Sequence, residues 1–164
     1  MAFVPSAVVA AIAYLLLDRF LKAESKRHIL EIKKESIKVT IPVRLQAFER
    51  VILLLERIEA AQVVKRIITP NMTSSQVKLK AIAEIREEFN HNITQQIYIS
   101  AASWEKVVKA KEDAIKLISI AGTQIPDNAS AVDFSKKVIG VNEELEISNV
   151  EAIDFIKREI RKIF

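Results

Sequence analysis

Cysteine is absent from this sequence, and glycine and histidine occur only twice each in 164 residues. Without cysteine there is no disulfide framework, no thiolate zinc site and no thiol nucleophile. Two isolated glycines cannot build a phosphate-cradling loop, and neither a nucleophile elbow nor a His-Glu-x-x-His helix is present. The chain also lacks Gly/Ser linkers, low-complexity tracts and internal repeats. What remains is rich in Leu, Ile, Ala, Glu and Lys, a composition that predicts helices rather than turn-rich β structure.

The first stretch, MAFVPSAVVAAIAYLLL, carries no charged side chain. As a helix it measures about 26 Å, and Phe20 and Leu21 extend it toward the roughly 30 Å of a hydrocarbon core. No basic residue precedes the run, so it does not read as a cleaved signal peptide. From Arg19 to Lys38 seven Lys/Arg face three Glu, which matches the net charge of +4 of the whole chain. The expectation is therefore a transmembrane anchor over 1–21 and a basic juxtamembrane stalk over 22–39, followed by a cytoplasmic helical domain over 40–164. By the positive-inside rule this places the protein in a bacterial inner membrane with its N-terminus outside. Asp18 is spaced to pair with Lys22. Arg19, Lys22, Lys26, Arg27, Lys33 and Lys34 are the membrane-proximal basic residues, suited to anionic lipid. Nucleic acid is not expected, because the positive charges alternate with glutamates and no aromatic residue is interleaved to stack on bases. Ser6/Ala10 and Ala7/Ala11 have the small-xxx-small spacing that lets transmembrane helices associate.

The rest of the chain reads as about five helices, so the fold class is all-α. Ile37, Val39 and Ile41 alternate with polar residues, which predicts a short extended segment before Pro42. Pro42 suits the first turn of a helix capped by Thr40. That helix, over 42–61, has Leu45, Phe48, Ile52, Leu55 and Ile58 on one face, with Val51, Leu53 and Leu54 widening it. A helix apolar nearly all round belongs at a bundle centre or against a partner. Thr73 and Gln76 form a capping box, with Met72 and Val77 at the positions of a hydrophobic staple. Ser100 is the expected cap of the next helix, which Gly122 should end. Pro126-Asp127 should open another helix, closed by Gly140. A second capping box, Ser148 and Glu151, starts a last helix with Ile153, Ile156, Ile160 and Ile163 inward; two heptads are too few for a coiled coil.

The helix after Thr73 carries the candidate chemistry. Ala81, Ile82, Ile85, Phe89 and Ile93 draw one buried stripe, and helical winding also sets Asn92 and Gln96 inside it. Glu84, Glu88 and His91 share its flank. Glu88 and His91 have the Glu-x-x-His spacing used in di-iron bundles, but the second pair and further carboxylates such sites need are missing. No metal or cofactor is therefore expected. Asn92 and Gln96 read either as amides satisfying the backbone at a helix end or as polar anchors in a groove that accepts another chain. Tyr98 and Trp104 are placed to wall such a groove.

Three segments, VTIPVRLQAFERVILLLERI, IREEFNHNITQQIYIS and SWEKVVKAKEDAIKLI, resemble the signature blocks of an uncharacterised family of short membrane-anchored proteins from Bacteroidota-type bacteria. The resemblance implies an anchor plus a helical domain and supplies no activity. The expected function is a non-catalytic, membrane-anchored adaptor or accessory subunit. It binds another protein, or a second copy of itself, through the transmembrane helix and helix 42–61. The alternative is a tethered bundle binding a small ligand or metal, and even an enzyme, through Glu84, Glu88, His91, Asn92 and Gln96.

Overall fold

Strong helix formers run on without a glycine from the N-terminus to Gly122, and helix propagation is cooperative once a nucleus exists. The computed structural model describes residues 3–145, 147 and 149–163, with side chains at 12 and from 14 on. Among them lie six α-helices and no named strand. They are α1 (Phe3–Arg57), α2 (Ala60–Ile67), α3 (Ser74–Asn92), α4 (Ala101–Thr123), α5 (Ala131–Leu145) and α6 (Val150–Ile163). A 3-10 turn, Ile93–Ile97, follows α3. The chain divides into two units, Met1–Pro42 and Val43–Phe164.

The first unit is helical throughout its described residues. No described helix is long and apolar enough to cross a membrane. This overturns the anchor over 1–21, and with it the bacterial inner-membrane address with the N-terminus outside. Side chains are described from Ile12 on, and there the uncharged stretch ends at Leu17; Asp18, Arg19, Lys22 and Glu24 follow within two turns. A span requires about 20 predominantly apolar residues. The lipid role read into the stalk rested on that span. Ser6, Ala7, Ala10 and Ala11 lie outside the described side chains. Asp18 does pair with Lys22, at 2.7 Å.

The expected extended segment and helix start around Pro42 are also corrected. α1 passes through Pro42. The proline leaves the Lys38 carbonyl without its helical N–H donor. Thr40 does not cap a helix; its hydroxyl donates back to the Ser36 carbonyl at 2.8 Å. A single proline between helical segments did not overcome the propagation on either side.

In the second unit, α1 buries Ala47, Phe48, Val51, Leu54 and Leu55, and Ile58, just past its end, is buried as well. Leu45 and Leu53, expected inside, are exposed, so this face is narrower than the composition suggests. Around it α3 packs on α2 and α4, and α4 also receives α5 and α6. Val77, Ala81, Ile85, Val107, Leu117, Ile118, Phe134, Val138 and Ile156 complete the core. Ile153 and Ile156 are buried, and Ile160 and Ile163 pack against that core, as the spacing of the last helix predicts.

Helix ends explain much of the remaining organisation. The Thr73 hydroxyl accepts from the Gln76 N–H while the Gln76 side chain accepts from the Thr73 N–H, so the expected capping box is complete. The next donors, Ser74 and Ser75 N–H, go to the carbonyls of Ala129 and Asp127 at 2.9 and 3.2 Å. The loops before α3 and α5 are thereby stitched together, which satisfies backbone groups that a helix start leaves open. Ser100 caps α4 as expected, by accepting from the Ser103 N–H. Asn71, in the loop before Thr73, takes the left-handed backbone (φ 70) that asparagine tolerates.

Neither glycine ends a helix. α4 continues past Gly122 to Thr123 and α5 past Gly140 to Leu145. No glycine has the positive φ a glycine stop uses. At Gly122 a Cβ would meet the flexible stem of the Lys78 side chain of α3 and no backbone atom. Pro126-Asp127 lies ahead of α5, whose first turn is capped by the Ser130 hydroxyl accepting from the Asp133 N–H. Ser148 lies outside the described residues, and Glu151 pairs with Lys106 of α4 at 2.6 Å.

Candidate functional site

The buried stripe of α3 holds through Ala81, Ile85 and Phe89, then ends one turn earlier than its spacing suggests. α3 stops at Asn92, and the chain tightens into the 3-10 turn. At about three residues per turn, the faces beyond Asn92 no longer follow the α-helical period. Ile93 and Gln96 therefore turn outward and are exposed, while Gln95 is buried at 8% exposure. Asn92 is half-buried, and its Nδ2 donates to the Glu88 carbonyl at 2.9 Å, within the end of its own helix. The buried amide of this region is Gln95, whose Nε2 lies 3.4 Å from the Thr94 hydroxyl. The sequence signal for it was faint: Gln95 and Gln96 are adjacent, and only the winding decides which one faces inward.

The 93–99 segment is held to α1 near its end. There Arg44 Nε donates to the Tyr98 carbonyl at 3.1 Å, and the guanidinium lies 6.0 Å from the Phe48 ring. Next to Tyr98, Glu159 of α6 accepts the Ser100 N–H at 3.0 Å and the Ser100 hydroxyl at 2.6 Å. It accepts the Ser103 hydroxyl as well. Burial of Glu159 works to raise its pKa. The Ser100 and Ser103 hydroxyls, the Ser100 N–H and the charge of Arg44 outweigh that and hold the carboxyl below its ordinary value. A carboxylate at the start of α4 is also favoured by the helix dipole.

Between the pinned segment and α1 lies a groove of about 290 Å³. Ala47 and Gln95 are its buried residues; Val43, Ile97, Tyr98 and Arg50 stand exposed around them. Ile97 is the most exposed large apolar residue described, at 75%. Gln46 and Thr94 also line the groove, so its rim is mixed, and around one buried amide it suits a short segment that presents both apolar and hydrogen-bonding groups.

The other candidates do not come together. Glu88 forms an ion pair with Arg57 at 3.0 Å, Glu84 is half-buried, and His91 and Gln96 are exposed. His91 lines a hollow with Ala83, Arg86, Glu87 and Asn90, all from α3 alone. Among the described residues no group of three or more His, Asp or Glu is placed to hold a metal ion. Tyr98 does wall the groove. Trp104 does not; it packs on Phe89, with ring centroids 5.3 Å apart at 33°, while Lys111 Nζ lies 4.5 Å from the centroid of the same Phe89 ring. Arg19, Lys26, Arg27, Lys33 and Lys34 are exposed along the first unit, as is Lys22 beside Asp18.

The second unit is thus an all-helical bundle with a pinned surface groove. The chain belongs to a family of unknown function (DUF7935), whose model matches residues 1–163. That match agrees with the resemblance read from the three central segments; it carries neither a membrane anchor nor a bacterial source. No curated protein and no solved structure matches the chain.

Proposed function

We propose that this protein is a non-catalytic adaptor or accessory subunit whose helical bundle binds a segment of another protein in the groove beside α1. One observation carries the reading: exposed Ile97 and Tyr98, on a segment that Arg44 of α1 holds at the Tyr98 carbonyl, stand with Val43 of α1 around the buried Gln95 amide. Holding the rim in place lowers the ordering cost of binding, and a concave site that offers apolar side chains beside a few placed polar groups can fix the orientation of a bound segment. Asn92 bonds within its own helix, Trp104 packs on Phe89, Glu88 pairs with Arg57, and Gln96 is not among the residues that line the groove. The ligand or metal reading of that face is not adopted, since its five side chains do not converge.

Ile97→Asp tests the reading. Ile97 is a surface residue, so the unfolding midpoint should shift by no more than about 0.5 kcal/mol of stability. A protein that co-purifies with the tagged wild-type chain should be lost from the variant, with affinity reduced by about 2 kcal/mol or more. A partner retained equally by both chains removes the groove from the function.

A further inference from the structure

In the first unit α1 leaves large apolar side chains in solvent over its whole described length. Leu15, Leu17, Leu21, Ile29, Ile32 and Val39 are distributed around the helix, whereas Leu16, Phe20, Leu30 and Ile37 share one register. Leu16, Ala23, Leu30 and Ile37 recur every seven residues, and Phe20, Arg27, Lys34 and Ile41 fall between them at the alternate 3 and 4 spacing. This is one coiled-coil register, the first set at d and the second at a, over about 39 Å of helix, with apolar residues toward its two ends and Ala23, Arg27 and Lys34 between them. Leu16, Phe20, Leu30 and Ile37 are each more than half exposed. The flanking charges follow the same register. Arg19 and Lys26 take g positions, and Glu24 and Glu31 take e positions.

We infer that residues 16–41 pair with the same residues of a second copy of this chain as a parallel two-stranded coiled coil. The charges select both occupant and direction. In a parallel pair each g residue meets the e residue five places on in the other helix, so Arg19 meets Glu24 and Lys26 meets Glu31, each twice by symmetry. An antiparallel pair sets g against g and e against e, which places like charges together. Arg27 and Lys34 occupy two consecutive a positions, where in a parallel pair each faces its own copy and weakens the seam. Glu24 and Glu31 stand three and four residues from Arg27 on its own helix, a spacing that offsets its charge. Lys33 facing Lys38 is the one unfavourable g–e contact. The pairing is therefore reversible rather than obligate. It is independent of the groove, which lies wholly in the second unit.

The chain has no cysteine, so single cysteines in the full-length protein report the geometry directly. Leu16→Cys and Ile37→Cys should each form a disulfide-linked dimer with itself at least about tenfold faster than Ile32→Cys, at the outer f position. In sedimentation, Glu24→Lys with Glu31→Lys should weaken self-association about tenfold or more, and mixing that chain with Arg19→Glu/Lys26→Glu should restore a heterodimer. A chain that stays monomeric at tens of micromolar (about 10–50 µM) overturns the inference. So does equal cross-linking at Ile32→Cys. A preference for the mixed Leu16→Cys/Ile37→Cys disulfide overturns the parallel direction.

Discussion

A single side chain decides where α3 begins. The Thr73 hydroxyl accepts from the Gln76 N–H, and the next two donors are taken by carbonyls of the loop before α5. Thr73→Ala removes one capping oxygen and leaves those backbone bonds in place, so it should cost about 1 kcal/mol. Urea unfolding of the full chain measures this; an unchanged midpoint means that the loop bonds alone hold the helix start. The same scale explains the exchange of Gln96 for Gln95. One residue of 3-10 winding moved the buried amide by one position, and a period fixed at 3.6 could not register it.

Between elements, Glu159 is the clasp that joins α6 to the start of α4. Its three donors come from Ser100 and Ser103, and Ser103 is fully buried. Because the folded state holds its carboxyl below the ordinary value, the unfolded chain binds the proton more readily. The stability this supplies is complete above the unfolded glutamate value, about 4.3, and is lost as pH falls through the lower folded value. Glu159→Gln should therefore cost about 1–2 kcal/mol at neutral pH, the range of charge-assisted hydrogen bonds. The gap between the two chains should close in acid. A gap that persists at pH ~3 shows that packing of α6, and not the ionised carboxylate, is what the substitution disturbs.

At the scale of the molecule, every core residue among the described side chains lies at Ala47 or beyond, although one helix enters both units. A fragment starting at Pro42 places that proline at the first helical position, where its missing N–H costs nothing. This fragment should unfold cooperatively, with stability within about 1 kcal/mol of the full chain apart from any effect of self-association. It should keep the groove and lose dimer formation. Circular dichroism melts of the two chains at equal low concentration check the first expectation, and sedimentation checks the second. A fragment that melts without cooperativity shows that residues 1–41 are needed for the bundle.

The sequence by itself determined the all-helical class, the Thr73 and Ser100 starts, the Ala81–Phe89 stripe and the inward isoleucines of the last helix. These follow from local hydrogen bonding and from a period that neighbours in sequence enforce. Tertiary structure decided what local rules left open. α1 continued through Pro42, and the glycines lay inside helices because no turn at those positions required a positive φ. No described helix is long and apolar enough to cross a membrane, which removed the expected span. Of the candidate site, Tyr98 was legible as a wall residue. Gln95, Val43 and Ile97 were not, because their grouping needs Arg44 and Glu159 to hold the 93–100 segment beside α1. Those contacts, Arg44 to Tyr98 and Glu159 to Ser100, join residues 54 and 59 positions apart, a distance no local pattern encodes.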